Sequence, residues 1–141
     1  MRVCILYGGD SAGNSNLRKL ADGMSKGISS SGQYIVELID MNLEQGRRVS
    51  SFDYIAIITQ ARGFFSKEVP PVVSTFLKSA GTISGKRCSC FISKNCLRKQ
   101  KVLQSLMKTM EDEGMYLKLS DILKNADMAY AVGKRLHVER N

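Results

Sequence analysis

The chain contains no tryptophan, two prolines and a single histidine, His137. One histidine with no motif around it supports neither a Ser/His/Asp nor a Cys/His catalytic arrangement. A zinc site needs several Cys or His ligands at set spacings, and the four cysteines, at 4, 88, 90 and 96, form no C-x-x-C pair. Cys4, Cys88 and Cys90 lie in strand-like apolar runs, so the cysteines are expected to be reduced and mostly buried thiols of a reducing compartment. No apolar run approaches the roughly 20 residues that cross a bilayer. The N-terminal RVCILYGGD is one strand long, whereas a signal peptide needs a longer apolar region and a small-residue cleavage site. These absences predict a soluble, cytoplasmic protein with no membrane partner.

Acidic residues are also scarce. Asp and Glu number 13 against 21 Lys and Arg, a net charge of +8. Such a balance predicts attraction to a polyanion or an acidic protein, and says nothing about fold. The densest basic segment is KNCLRKQK, residues 94–101. It reads either as a solvated helix start or as a contact for a nicotinamide cofactor's phosphate or an acidic partner. There is no arginine-rich tail and no helix-turn-helix or RNP-type pattern, so nucleic acid is not the expected partner.

What is present is a regular alternation. Residues 2–7, 33–40, 52–59, 86–93 and 115–123 are short apolar runs that predict five strands. Between them, Leu17, Leu20, Ala21, Met24 and Ile28 fall on one helical stripe, with Asn14, Ser15 and Asn16 as candidate caps. Pro70 and Pro71 suit a first helical turn, followed by Val72, Val73, Phe76 and Leu77. Residues 97–113 carry Val102, Leu103, Leu106, Met107 and Met110 at helical spacing, and Gly114 suits the position after the helix. Asn125 can cap a last helix in which Met128, Val132 and Leu136 share a face; His137, near its end, is expected to be exposed. Strands alternating with helices predict right-handed βαβ units and one doubly wound α/β domain over residues 1–141. Ligands of such sheets bind beyond the carboxyl ends of the strands, where loops 8–16, 59–69 and 93–97 should gather.

The first of these loops lies in YGGDSAGNSNLRKLA, residues 7–21. A helix N-terminus offers free N–H groups and a positive dipole end to an anion. Gly8, Gly9 and Gly13 permit close backbone approach. Ser11, Ser15 and Asn16 can donate side-chain hydrogen bonds. The stretch is neither a Walker A loop nor G-x-G-x-x-G, and Gly, Ser and Asn before a helix also serve turns and caps. Phosphate cradle and capped turn both remain open on local chemistry alone.

In a five-strand chain the pattern resembles the flavodoxin-like superfamily, in particular the NAD(P)H-dependent FMN reductases and multimeric flavodoxin-like proteins. The residues that carry the resemblance are Asn14-Ser15-Asn16-Leu17 followed by RKLA, VELIDMN at 36–42, VPPVVSTFLKS at 69–79 and AVGKRL at 131–136. The resemblance implies a three-layer α/β sandwich with a five-stranded parallel sheet in the order 2-1-3-4-5. It implies FMN as cofactor, with NADPH or NADH as reductant, in a small flavin reductase or an electron carrier. It places the flavin phosphate on Gly9, Asp10, Ser11, Gly13, Asn14, Ser15, Asn16 and Leu17. It places the ring system against Gln60, Ala61, Arg62, Gly63, Phe64 and Phe65 on one side, and Ser93, Lys94 and Asn95 on the other.

The sequence departs from that pattern in definite ways. Leu17 replaces a hydroxyl residue, Asp10 stands in place of serine, and Ala12 in place of arginine. QARG replaces the usual Gly-Ser-Pro after the third strand. A carboxylate beside a phosphate dianion is unfavourable unless it points away or pairs, and Arg62 is a candidate to pair with Asp10 or with the phosphate. Asp10 itself reads more simply as a loop carboxylate satisfied by backbone N–H groups. Phe64 and Phe65 read either as flavin-pocket aromatics or as a groove filling or homodimer contact. The departures motivate a second reading, a domain that has lost flavin and serves as a binding or adaptor module through its basic surface.

Overall fold

A computed structural model describes residues 1–11, 14–136 and 138. The order of elements is β1 (Arg2–Tyr7), α1 (Ser15–Ser30), β2 (Ile35–Asp40), β3 (Tyr54–Thr59), α2 (Pro71–Lys78), β4 (Arg87–Ser93), α3 (Lys99–Asp112), β5 (Tyr116–Leu123) and α4 (Ala126–Lys134). The strands form one five-stranded sheet in the order β2-β1-β3-β4-β5, and every neighbouring pair is parallel. This is the order implied by the resemblance.

Strand burial follows from position in the sheet. Every residue of β3 is buried, because the strand has neighbours on both edges and helices on both faces. The edge strands β2 and β5 keep exposed residues, which is why their sequences, IVELID and YLKLSDIL, mix charge with apolar side chains. Alternation along β1 sends Cys4 and Leu6 to the face covered by α2 and α3, and Val3, Ile5 and Tyr7 to the face covered by α1 and α4. The two apolar layers make the three-layer sandwich.

Helix α1 begins where Asn14 Oδ1 accepts a hydrogen bond from Leu17 N at 3.0 Å. Asn14 is thus the cap, and Ser15 and Asn16 are the first helical residues. Asn125 caps α4 in the same way, accepting from Met128 N at 2.8 Å. The two helices pack without intervening side chains. A Cβ at Gly23 would lie 2.6 Å from Ala126 O, and one at Gly27 or Gly133 would meet the facing backbone as closely or closer. Helix α3 starts at Lys99 rather than Leu97, leaving Leu97 in the preceding loop and 59% exposed. Leu136, expected on the last helix, lies beyond its end at Lys134 and is still buried.

All four cysteines are free and buried. Burial pushes the Cys88 thiol up to about 12, and pushes Cys4 and Cys90 higher still. No helix among the described residues is long and apolar enough to cross a membrane. His137 lies outside the described residues.

Candidate functional site

Connection β1-α1-β2 runs to one side of β1, and β3 lies on the other. The carboxyl ends of β1 and β3 therefore flank the point where the winding reverses, and the loops meet there. The first loop leaves β1 through Gly8 and Gly9, both buried. Gly8 N donates to Ile58 O at 3.4 Å, and Thr59 Oγ1 donates to Gly8 O at 2.6 Å. From the opposite side Asn42 Nδ2 donates to Gly9 O at 2.9 Å, while Asn42 Oδ1 accepts from Gly9 N at 3.1 Å. A Cβ at Gly8 would lie 2.7 Å from Asn42 Oδ1. Glycine at 8 is therefore required by this clamp.

Beyond the clamp, Asp10 and Ser11 are exposed. Gly13, together with Ala12, lies outside the described residues. Ser15 and Asn16 are exposed in the first turn of α1, and their N–H groups have no partner among the described residues. They are the donors this end of the helix offers an anion. Leu17 is different: its N–H is taken by Asn14, and its side chain is fully buried in the α1–α4 layer. The departure from a hydroxyl residue at 17 is a core requirement, and Leu17 is a packing residue rather than a ligand-facing one.

The loop after β3 begins with half-buried Gln60, whose Nε2 would lie 3.0 Å from a Cβ on Gly9. Ala61 is buried in the α2–α3 layer, so only its backbone is available to a ligand. Arg62 N donates to Glu68 O at 3.0 Å and Ser66 N to Gly63 O at 3.0 Å, which folds residues 62–68 into a compact excursion. At its tip Phe64 and Phe65 are 57% and 74% exposed. Their rings meet edge to face, with centroids 5.0 Å apart and planes at 86°. Phe64 O accepts from Leu97 N at 2.9 Å, which ties this loop to the one after β4. There Lys94 and Asn95 are exposed, while the Ser93 hydroxyl is buried without a hydrogen-bond partner among the described residues.

The charges of this edge are mainly positive. Arg62, Lys67, Lys94, Arg98 and Lys101 are exposed and make no ion pair among the described residues. The Lys99 ammonium is held by Cys96 O at 2.9 Å. Asp10 and Arg62 do not pair, and no hydrogen bond to the Asp10 side chain is found among the described residues. Asp10 is exposed to solvent. Two depressions lie on the edge. The larger, 510 Å³, is bounded by Leu97, Arg98, Lys99, Gln100, Lys101 and Ile122. The smaller, 320 Å³, lies at the start of α1 among Tyr7, Asn14, Ser15, Arg18, Asp40 and Leu43. No group of three or more metal-ligating side chains occurs among the described residues.

Three residues of the edge have no signature in the sequence. Asn42 and Thr59 look like an ordinary turn residue and a strand end, because the Gly9 and Gly8 backbones they hold are 33 and 51 positions away. Asp40 closes an amphipathic strand, and only the parallel register that sets it beside Tyr7 brings it to the first loop.

No protein-family model matches the sequence, and no curated protein sequence is significantly similar to it. Solved structures are. The two-electron reduced flavodoxin of Megasphaera elsdenii superposes with a TM-score of 0.74 at 20% identity, over 98% of this chain and 99% of that one. A flavodoxin from the domain Archaea gives 0.71 at 18% identity, over 99% and 95%. Oxidised Flavodoxin 1 of Bacillus cereus gives 0.71 at 14% identity, over 96% and 94%. With its 2-1-3-4-5 parallel sheet and full-length superposition, the chain has the flavodoxin-like fold.

Proposed function

We propose that the chain is an FMN-binding redox protein that exchanges electrons with an acidic protein partner. The observation that carries this reading is one sheet edge presenting two N–H groups at the start of α1, without partners among the described residues, together with two exposed aromatic rings. The residues present fit the group. Ser15 and Asn16, exposed in the first turn of α1, offer donors to a phosphate. Phe64 and Phe65 offer ring faces or edges to a planar heterocycle. The redox states named for the Megasphaera and Bacillus flavodoxins agree with such a role.

A bound flavin supplies the hydride and electron chemistry, and the protein orients and tunes it. Asn42 and Thr59 hold the first loop in shape from both sides. Leu97 fixes the Phe64 backbone and thereby the aromatic tip. Arg62, Lys94 and the α3 start favour negative charge nearby and so raise the midpoint potential of a bound flavin. In this reading no protein side chain need act as acid or base. The same cations would steer an acidic partner, or the phosphate of a nicotinamide nucleotide, to the exposed edge. A cytoplasmic location and a single domain remain part of this reading.

Colour and titration test it. The purified protein is expected to be yellow, to release FMN on denaturation, and to quench FMN fluorescence when the cofactor is added back. A colourless protein that leaves added FMN unquenched rules the reading out. NADPH or NADH oxidation by the loaded protein, against electron transfer to an added acidic carrier, separates reductase from carrier. One observation favours the adaptor alternative: Asp10, in the loop before α1, has no partner among the described residues. Loss of flavin with retained, steeply salt-dependent binding of an acidic protein would support it.

A further inference from the structure

Strand β5 is an edge strand, paired only with β4. Two depressions lie in line between it and α3, on a side of the sandwich that flavin binding leaves unused. One, 510 Å³, is bounded by Leu97, Arg98, the first turn of α3 and Ile122. The other, 340 Å³, lies farther along both elements, among Met107, Leu117, Lys118, Leu119 and Ser120. Lys101 and Met107 are about 9 Å apart in helix rise, and Ser120 and Ile122 about 7 Å apart along the strand. The two depressions make an elongated trough, longer than one small anion fills.

The trough combines apolar surface with charge of one sign. Leu97 is 59% exposed and Leu119 38%, while Met107, Leu117 and Ile122 are half-buried. Arg98, Lys99, Lys101 and Lys118 line it, and no acidic side chain does. Arg98, Lys101 and Lys118 make no ion pair among the described residues; Lys118 Nζ lies 4.8 Å from the Tyr116 ring centroid. The nearby acids are placed elsewhere. Asp121 accepts from Ile122 N at 2.7 Å and lines a separate depression with Val132 and Arg135 on the α4 side. Glu111, Asp112 and Glu113 lie at the far end of α3. An acidic peptide segment with apolar side chains complements both the charge and the apolar surface. A lipid surface meets protruding side chains, whereas these line a concavity. No aromatic ring lines the trough to stack a nucleic-acid base.

We propose that the trough between α3 and β5 seats an acidic, apolar-bearing segment of a protein partner. This gives the acidic partner of the flavin reading a docking place and rests on that reading for the partner, but the trough itself needs no flavin. Leu97 N donates to Phe64 O at 2.9 Å, so a segment seated here lies beside the loop that carries the two aromatic rings. The experiment titrates a short synthetic peptide of interspersed Glu and Leu into the isotope-labelled full chain and follows amide resonances. Saturable shifts are expected at residues 97–101, 107 and 117–122. The same peptide with Ser in place of Leu is expected to bind about tenfold more weakly, the size of effect that losing one buried apolar side chain produces. Lys101→Glu combined with Lys118→Glu, both at exposed positions, is expected to weaken the Glu/Leu peptide about tenfold at low salt and less at high salt. Ile122→Thr is expected to weaken the peptide by about fivefold while FMN affinity stays within about twofold. Absence of saturable binding, equal binding of the Ser peptide, or binding that survives the double charge reversal overturns the proposal. So does tighter binding of phosphatidylserine vesicles or single-stranded DNA than of the Glu/Leu peptide. Colour and FMN quenching are read on the same preparation. A yellow protein that ignores the peptide keeps the flavin reading and loses the trough. A colourless one that binds the peptide and leaves FMN unquenched keeps the trough and loses the flavin.

Discussion

Asn42 and Gly9 exchange two hydrogen bonds across 33 positions of sequence, the side-chain amide satisfying both the N–H and the carbonyl of one glycine. The pair makes the shape of the first loop a property of the tertiary fold. Removing the amide leaves two buried backbone groups unpaired. Asn42→Ala is expected to cost about 2 kcal/mol of stability in urea unfolding. It is also expected to weaken FMN by about tenfold, beyond what a stability loss alone produces in a still-folded protein. Unchanged FMN affinity would assign Asn42 to stability only.

Asp10 gives a prediction of opposite sign. It is exposed, without a partner among the described residues, beside the turn that would hold a phosphate. Asp10→Asn is expected to tighten FMN by about threefold or more at low salt, with the gain shrinking as salt rises. Titrations at two ionic strengths check both statements. A weaker complex would show that Asp10 organises the loop.

The α1–α4 contact is a test of packing. Gly27 faces the Tyr130 carbonyl across a gap with no room for a methyl group. Gly27→Ala would raise helix propensity by about 1 kcal/mol in isolation, yet it is expected to destabilise the protein by about 2 kcal/mol or more because the helices must separate. An increase in the urea midpoint would refute the close packing.

The thiols set a pH dependence. Burial raises Cys88 to about 12 and the other strand thiols further. The unfolded thiols ionise first, near the ordinary thiol value of 9.0. Their contribution to stability is thus complete below about pH 9 and lost as pH rises toward 12, by up to about 1.4 kcal/mol per unit per thiol. Urea unfolding above pH 9 should show a shallower fall for Cys88→Ala than for the parent. Below that pH, the folded protein should resist alkylation until denaturant is added.

Much of the fold was legible because its elements are local. Continuous apolar runs in β1, β3 and β4, the stripe of Leu17 to Ile28, the caps Asn14 and Asn125, and Gly114 with its φ of 79° all act over a few residues. Boundaries were less so. Strand β2 starts at Ile35 because Gln33 and Tyr34 have no ladder partner on β1, and α3 starts at Lys99 because Leu97 N is spent on Phe64 O. Of the site, the glycine loop and the aromatic tip could be read from residue type. Asn42, Thr59, Asp40 and the burial of Leu17 could not, because each depends on a neighbour supplied by another strand.

By itself the sequence determined the alternation of strands and helices and the basic charge. Periodicity and charge belong to the chain whatever its neighbours. Only the tertiary structure decided that Asp10 has no partner among the described residues, that Leu97 joins Phe64, and that Asp40 is buried and accepts from Asn42 N. The physical reason is register. Parallel pairing fixes which loop ends lie side by side, and a hydrogen bond or a buried charge exists only once its partner has been brought within about 3 Å.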